Sequence, residues 1–134
     1  MKVLYDLQAF DMQTHGGVSR CFAELYSHRP AFVDAHISVK ETDNVYLQEL
    51  GFPPKGTLYK NFLCDKDTKL KHFLFKLKYN IQYGKFSRLD KRPLINLFET
   101  ESVLKKGDFD IFHPTFFDDY FLRLIGKKPF VITV

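Results

Sequence analysis

Three groups of residues have types and spacings that chemistry can use. Gly16-Gly17 stands just ahead of a helical run. Two glycines there let the backbone approach a ligand closely, and the first N–H groups of a helix offer partial positive charge to a phosphate. The spacing is neither G-x-G-x-x-G nor a P-loop, so no dinucleotide or ATP reading follows. The pair also reads as a plain glycine turn between strand and helix. His113, in Phe112-His113-Pro114-Thr115, closes an apolar run beside a proline that fixes the turn. An imidazole in that place either handles protons or makes a structural contact. Asp65-Lys66-Asp67 has the spacing of a carboxylate pair on a divalent metal. Asp67 serves equally as a helix cap, and the lysines that follow repel a cation. Asp118-Asp119 reads the same way, so no metal and no cofactor are expected.

A fourth group is a surface. Residues 66–92 carry nine lysines and arginines against Asp67 and Asp90, an excess of seven positive charges in a chain whose net charge is +4. The remainder is therefore mildly acidic. Within this segment Leu70, Phe73, Leu74, Leu77 and Ile81 form an apolar stripe at helical spacing, and Phe75, Tyr79 and Tyr83 recur on the opposite face among Lys71, Lys76, Lys78 and Lys85. One reading is a core helix whose second face touches another element. The other is a surface of Lys71, Phe75, Lys78 and Tyr79 that meets an acceptor or an anionic membrane. Nucleic acid is not expected, because no nucleic-acid-binding motif accompanies the charge.

The elements that must position these groups alternate. A short buried strand at 2–5 leads into a polar loop, Asp6 to Gly17. A helix follows with Val18, Cys21, Phe22 and Leu25 as its apolar face and Ser19, Arg20 and Glu24 off it. A second strand is expected within Phe32 to Val39, and a short helix from Asp43, as N-cap, to Leu50 before Gly51. A third strand is expected at Leu58 to Phe62 and the basic helix at 68–83. Another helix runs from Pro93 to Lys105-Lys106-Gly107. A fourth strand at Phe109 to His113, a short helix capped by Asp118 or Asp119 and ending at Gly126, and a fifth strand at Pro129 to Val134 complete the order. Alternating strands and helices imply an α/β fold, a parallel sheet of about five strands with helices on both faces. In such sheets ligands lie outside the carboxyl ends of the strands, where both His113 and the glycine pair fall.

Composition bounds the rest. The 134 residues suit one domain that buries a core without disulfides. Fifteen Phe and seven Tyr, with no Trp, put an unusual amount of ring surface into a core, a cleft or a contact face. Two cysteines without ligand spacing, Cys21 and Cys64, point to a reduced, cytoplasmic setting. An acid at Asp6 interrupts any signal-peptide pattern, and no apolar stretch is long enough to span a bilayer. The basic segment adds the option of a peripheral place on the inner face of the membrane.

Together the two ends of the chain are more specific than any single motif. The run Gln8-Ala9-Phe10 … Gln13 … Gly16-Gly17-Val18-Ser19-Arg20-Cys21-Phe22-Ala23-Glu24-Leu25 resembles the opening of bacterial GT-B glycosyltransferases of family 4, in particular a polysaccharide-locus subgroup. The run Phe109-Asp110-Ile111-Phe112-His113-Pro114-Thr115-Phe116-Phe117-Asp118 … Tyr120-Phe121-Leu122 resembles that subgroup's second N-domain signature, and Pro129 to Val134 resembles the strand leading to a His-Asp pair. Cys21 departs from the usual aromatic. The resemblance implies two Rossmann-like domains facing across a cleft, of which residues 1–134 are the N-terminal, acceptor-side one, cut short of the donor-binding domain. It implies Gly16, Gly17 and Arg20 near the diphosphate of a nucleotide-sugar donor, and His113 as the catalytic residue near the transferred sugar. It further implies transfer of a hexosyl-type sugar, without metal, to a glycan or lipid-linked acceptor in surface polysaccharide synthesis, with this fragment inactive alone. The rival expectation is a non-catalytic Rossmann-like interaction module that docks on a membrane or another protein through the basic aromatic helix.

Overall fold

The structure is a computed structural model that describes residues 1–56, 77 and 94–133. The expected strand at 58–62, the basic helix at 68–83 apart from Leu77, which is helical and exposed, and the residues Cys64, Asp65, Asp67, Lys71, Phe75, Lys78, Tyr79 and Pro93 lie outside the described residues.

The described chain is mixed α/β around a parallel sheet of three strands, ordered β2-β1-β3. Strand β1 (Lys2–Tyr5) sits in the middle, paired in register with β2 (Asp34–Ile37) and with β3 (Ile111–His113). Side chains alternate across a sheet, so Val3, Tyr5, Ile111 and His113 share one face while Leu4 and Phe112 share the other. A central parallel strand is buried on both faces, and Val3-Leu4-Tyr5 is apolar throughout for that reason.

Helix α2 (Gly17–Ser27) covers the Tyr5 face through Phe22, whose ring meets Tyr5 edge-on at 5.8 Å. Helix α4 (Leu94–Lys106) lies over the other face, where Glu99, Val103 and Lys106 line a shallow cavity together with Leu4 and His36. The rings of Phe109 and Phe121 close on Phe112 from that same side, at 6.3 and 4.9 Å. Phe121 belongs to a 3-10 turn, Tyr120–Arg123. Helix α4 ends on Lys105 and Lys106, with Gly107 at φ 68°, a left-handed position that suits glycine.

The parallel sheet is as expected in kind, with three strands among the described residues. Four finer expectations are corrected. The run expected as a fifth strand contributes a single parallel bridge, Phe130 beside Phe112, with Phe112 N donating to Pro129 O at 3.0 Å and Val131 N donating to Phe112 O at 2.9 Å. The loop from Asp6 to Gly17 contains a short helix α1 (Gln8–Met12), held from outside: Ala9 N donates to Thr115 Oγ1 at 2.9 Å. In α3 (Val45–Glu49) the N-cap is Asn44, not Asp43, and its side chain accepts from Leu47 N at 3.3 Å. Helix α2 is turned from its expected face. Ser19, Phe22 and Ala23 are buried, whereas Val18, Cys21 and Leu25 are exposed. Small residues let the helix approach the sheet, and the buried Ser19 hydroxyl donates to Gly16 O at 3.1 Å.

Candidate functional site

The carboxyl ends of β1 and β3 are joined by a buried polar clamp. Asp6 follows β1 directly and is fully buried. Its Oδ1 accepts from Thr115 N at 2.8 Å, from the Thr115 hydroxyl at 2.6 Å and from Gln8 N at 3.3 Å. Its Oδ2 accepts from Gln8 Nε2 at 2.8 Å and from the Tyr120 hydroxyl at 3.0 Å. Gln8 in turn pairs with the backbone of Asp118 in both directions, Nε2 to O at 3.0 Å and Asp118 N to Oε1 at 2.9 Å. Burial pushes the Asp6 carboxyl up, opposed by the bonds from Thr115, Gln8 and Tyr120. Burial and the neighbouring Asp6 hold the Tyr120 phenol well above its ordinary value, so it stays a donor. The clamp fixes the two loops that any ligand at this edge would meet.

Sequence reasoning named Asp118 only as a cap or metal candidate, and it did not single out Asp6, Thr115 or Tyr120. In the structure Asp118 Oδ1 accepts from Tyr120 N at 3.1 Å, an Asx turn ahead of the 3-10 segment, whose N-cap is Asp119 with no side-chain capping bond. Among the described residues no group of three or more His, Cys, Asp and Glu side chains comes together. A second buried cluster was also missed. Asn96 Nδ2 donates to Asp11 Oδ1 at 2.9 Å and to Glu41 O at 2.8 Å, while its Oδ1 accepts from Lys40 N and Glu41 N. The Lys55 ammonium lies 3.9 Å from Asp11 Oδ1 and 3.5 Å from Asp43 Oδ2. Acids and amides scattered over 85 positions carry no spacing signal.

His113 ends β3 and packs between rings, 5.4 Å from Tyr5 and edge-on to Phe22 at 5.0 Å. Half-burial pushes its imidazole below the ordinary 6.5, so the ring is neutral at pH 7. Its Nε2 is 2.8 Å from Thr133 Oγ1. His113, Tyr5, Cys21 and Glu24 line a largely apolar cavity of about 640 Å³ between α2 and the sheet, floored by Val3, Ile111 and Val131. The depression is open to solvent, and Leu25 and Val131 along it are exposed.

Gly16 and Gly17 open α2 at the same carboxyl edge. Neither glycine lies in the left-handed region, and Gly16, at φ 176°, is extended backbone that any residue adopts. What Gly16 permits is close approach: a Cβ there would fall 2.0 Å from Gln13 Oε1. That oxygen is also 3.4 Å from Ser19 N, so the Gln13 carboxamide rests at the open end of the helix. Nothing lies within 4 Å of a Cβ placed on Gly17. Arg20 is exposed, its Nε 3.8 Å from Glu24 Oε1. The structure therefore brings His113 against Phe22, five residues along the helix from Gly17. Gly16 and Arg20 have their own contacts with Gln13 and Glu24.

Comparison with protein-family models, curated proteins and solved structures finds no match for the chain. Among the described residues, no helix is long and apolar enough to cross a membrane.

Proposed function

We propose that residues 1–134 form the N-terminal, acceptor-side domain of a GT-B glycosyltransferase, with a Rossmann-like sheet of about five strands. The chain would contribute half of a cleft in which a sugar passes from a nucleotide donor to a glycan or lipid-linked acceptor. The supporting observation is His113 at the carboxyl end of β3, its ring against Phe22 on the helix that Gly16-Gly17 opens. Parallel strand order and two helix-covered faces suit the same architecture.

In this reading the α2 N–H groups meet the leaving diphosphate once the Gln13 carboxamide swings aside, and they stabilise charge as it develops. Arg20 reaches the same anion from the next turn. His113, neutral and half-buried, polarises or accepts a proton from a hydroxyl near the reacting carbon. The Asp6 clamp keeps the β1 and β3 loops in fixed relation while this happens.

The experiment is hydrolysis and transfer across a panel of nucleotide sugars by the whole gene product, beside the 134-residue chain. Turnover by the whole product and none by the chain supports the reading. Absence of turnover and of donor binding in both overturns it and leaves the interaction module, for which the segment 66–92 is the place to look.

A further inference from the structure

We propose that the loop tip Phe116-Phe117 is an acceptor subsite: the Phe117 ring stacks on the C–H face of a neutral sugar ring, and the Asp118 and Asp119 carboxylates accept from its hydroxyls. Phe117 is 66% exposed, with the Phe116 ring tilted against it at 5.1 Å. An exposed ring on a loose loop is ordinary, but this tip is pinned on both sides. Before it, the backbone N–H and hydroxyl of Thr115 both donate to the buried Asp6 carboxyl. After it, Gln8 pairs with both the N–H and the C=O of Asp118. Buried polar groups therefore hold in place a ring that stays in water, and a ring already ordered loses little freedom on binding. The neighbouring residues decide what it binds. Asp118 and Asp119 are exposed, and among the described residues the Asp119 side chain makes no hydrogen bond or ion pair. Consecutive Cα atoms are about 3.8 Å apart, so both carboxylates stem from within about 8 Å of the Phe117 Cα. Two negative charges there disfavour a phosphate, a nucleic acid or an anionic membrane. A lipid chain would desolvate the carboxylates and offer them no donor. A pyranose supplies both parts, apolar C–H groups for the ring face and hydroxyl donors around its rim. The tip begins three residues beyond His113, at the carboxyl edge of the sheet, where ligands of parallel sheets sit.

The name acceptor subsite rests on the function proposed above, whereas the sugar contact does not. The test is titration of the 134-residue chain with maltose, cellobiose, lactose and chitobiose at millimolar concentrations, followed by the NMR signals of the Phe117 ring and of the 115–119 amides. Saturable shifts confined to this loop are expected with at least one disaccharide. Phe117→Tyr keeps the ring face and should keep the binding. Phe117→Leu keeps apolar bulk without the face and should weaken binding about three- to tenfold. The position is exposed, so both variants should fold, and amide spectra elsewhere in the chain confirm it. No saturable shift with any of the four sugars overturns the proposal. Equal binding by Phe117→Leu overturns it too, because the contact is then merely apolar. In the whole gene product Phe117→Leu should raise the acceptor KM by the same factor at constant kcat. Transfer with that KM unmoved removes the subsite and leaves the glycosyltransferase reading standing. Disaccharide binding by the chain, with no transfer by the whole product, removes that reading and upholds the sugar contact.

Discussion

The Thr115 hydroxyl donates to Asp6 Oδ1 across 2.6 Å, joining residues 109 apart in sequence at the carboxyl ends of β3 and β1. Thr115 N donates to the same oxygen at 2.8 Å, and Thr115 Oγ1 accepts from Ala9 N at 2.9 Å, so one threonine ties the β3 loop to both β1 and α1. Asp6→Asn replaces one of the two acceptor oxygens with a donor facing Gln8 Nε2 or Thr115 N. The expected cost is about 1–3 kcal/mol, measured by urea unfolding. Tyr120→Phe should cost about 1 kcal/mol, and the double variant should differ from the sum of the two, because the Tyr120 hydroxyl bonds the carboxyl that Asp6→Asn alters.

Phe112→Ala should cost about 3–5 kcal/mol in the same assay. Phe112 is completely buried, and the rings of Phe109 and Phe121 rest on it. A cost below about 1 kcal/mol would mean that this face of the sheet is not packed as described.

The His113 imidazole is held below its ordinary value by burial, and the sign of the consequence is fixed. The unfolded chain binds the proton more readily, so His113 contributes stability that is present above about pH 6.5 and lost as pH falls through the lower folded value. Unfolding midpoints measured from about pH 8 to pH 5 should decline toward acid, and His113→Gln should flatten part of that decline. Parallel profiles for the two proteins would contradict the burial of the ring.

Gly17→Ala should leave the fold intact, with stability unchanged or raised by up to about 1 kcal/mol, since the position is helical and an added Cβ meets nothing within 4 Å. In the whole gene product the same methyl should weaken donor use if the α2 N–H groups meet a phosphate. Unaltered kcat/KM would remove Gly17 from the donor site.

The helix after Gly16-Gly17 was legible in the sequence because glycines and apolar periodicity agreed on it. Its buried face was not, because hydrophobicity ranked Val18, Cys21 and Leu25 above Ser19 and Ala23, while close approach to the sheet favours the smaller side chains. Helix α1 has five residues, too few for periodicity to show, and the Thr115 contact that holds it is remote in sequence. The run Phe130-Val131-Ile132 reads as a central strand by composition. It pairs on the β3 side through one bridge, and its three side chains are 42–49% exposed. His113 and the glycine pair were legible as strand-end and helix-start residues. Thr133 as a partner of His113, and Asp6 as the acceptor that joins two loops, were not: no local pattern marks a bond between residues 20 or 109 apart.

The most direct measurement is sugar transfer by the whole gene product with and without His113→Ala, both proteins first shown to be folded. A fall in kcat of about 10²- to 10⁴-fold, the range for a positioned acid–base group, is the expected result. Equal turnover in the two proteins would contradict a catalytic His113, and no turnover in either would contradict the glycosyltransferase reading itself.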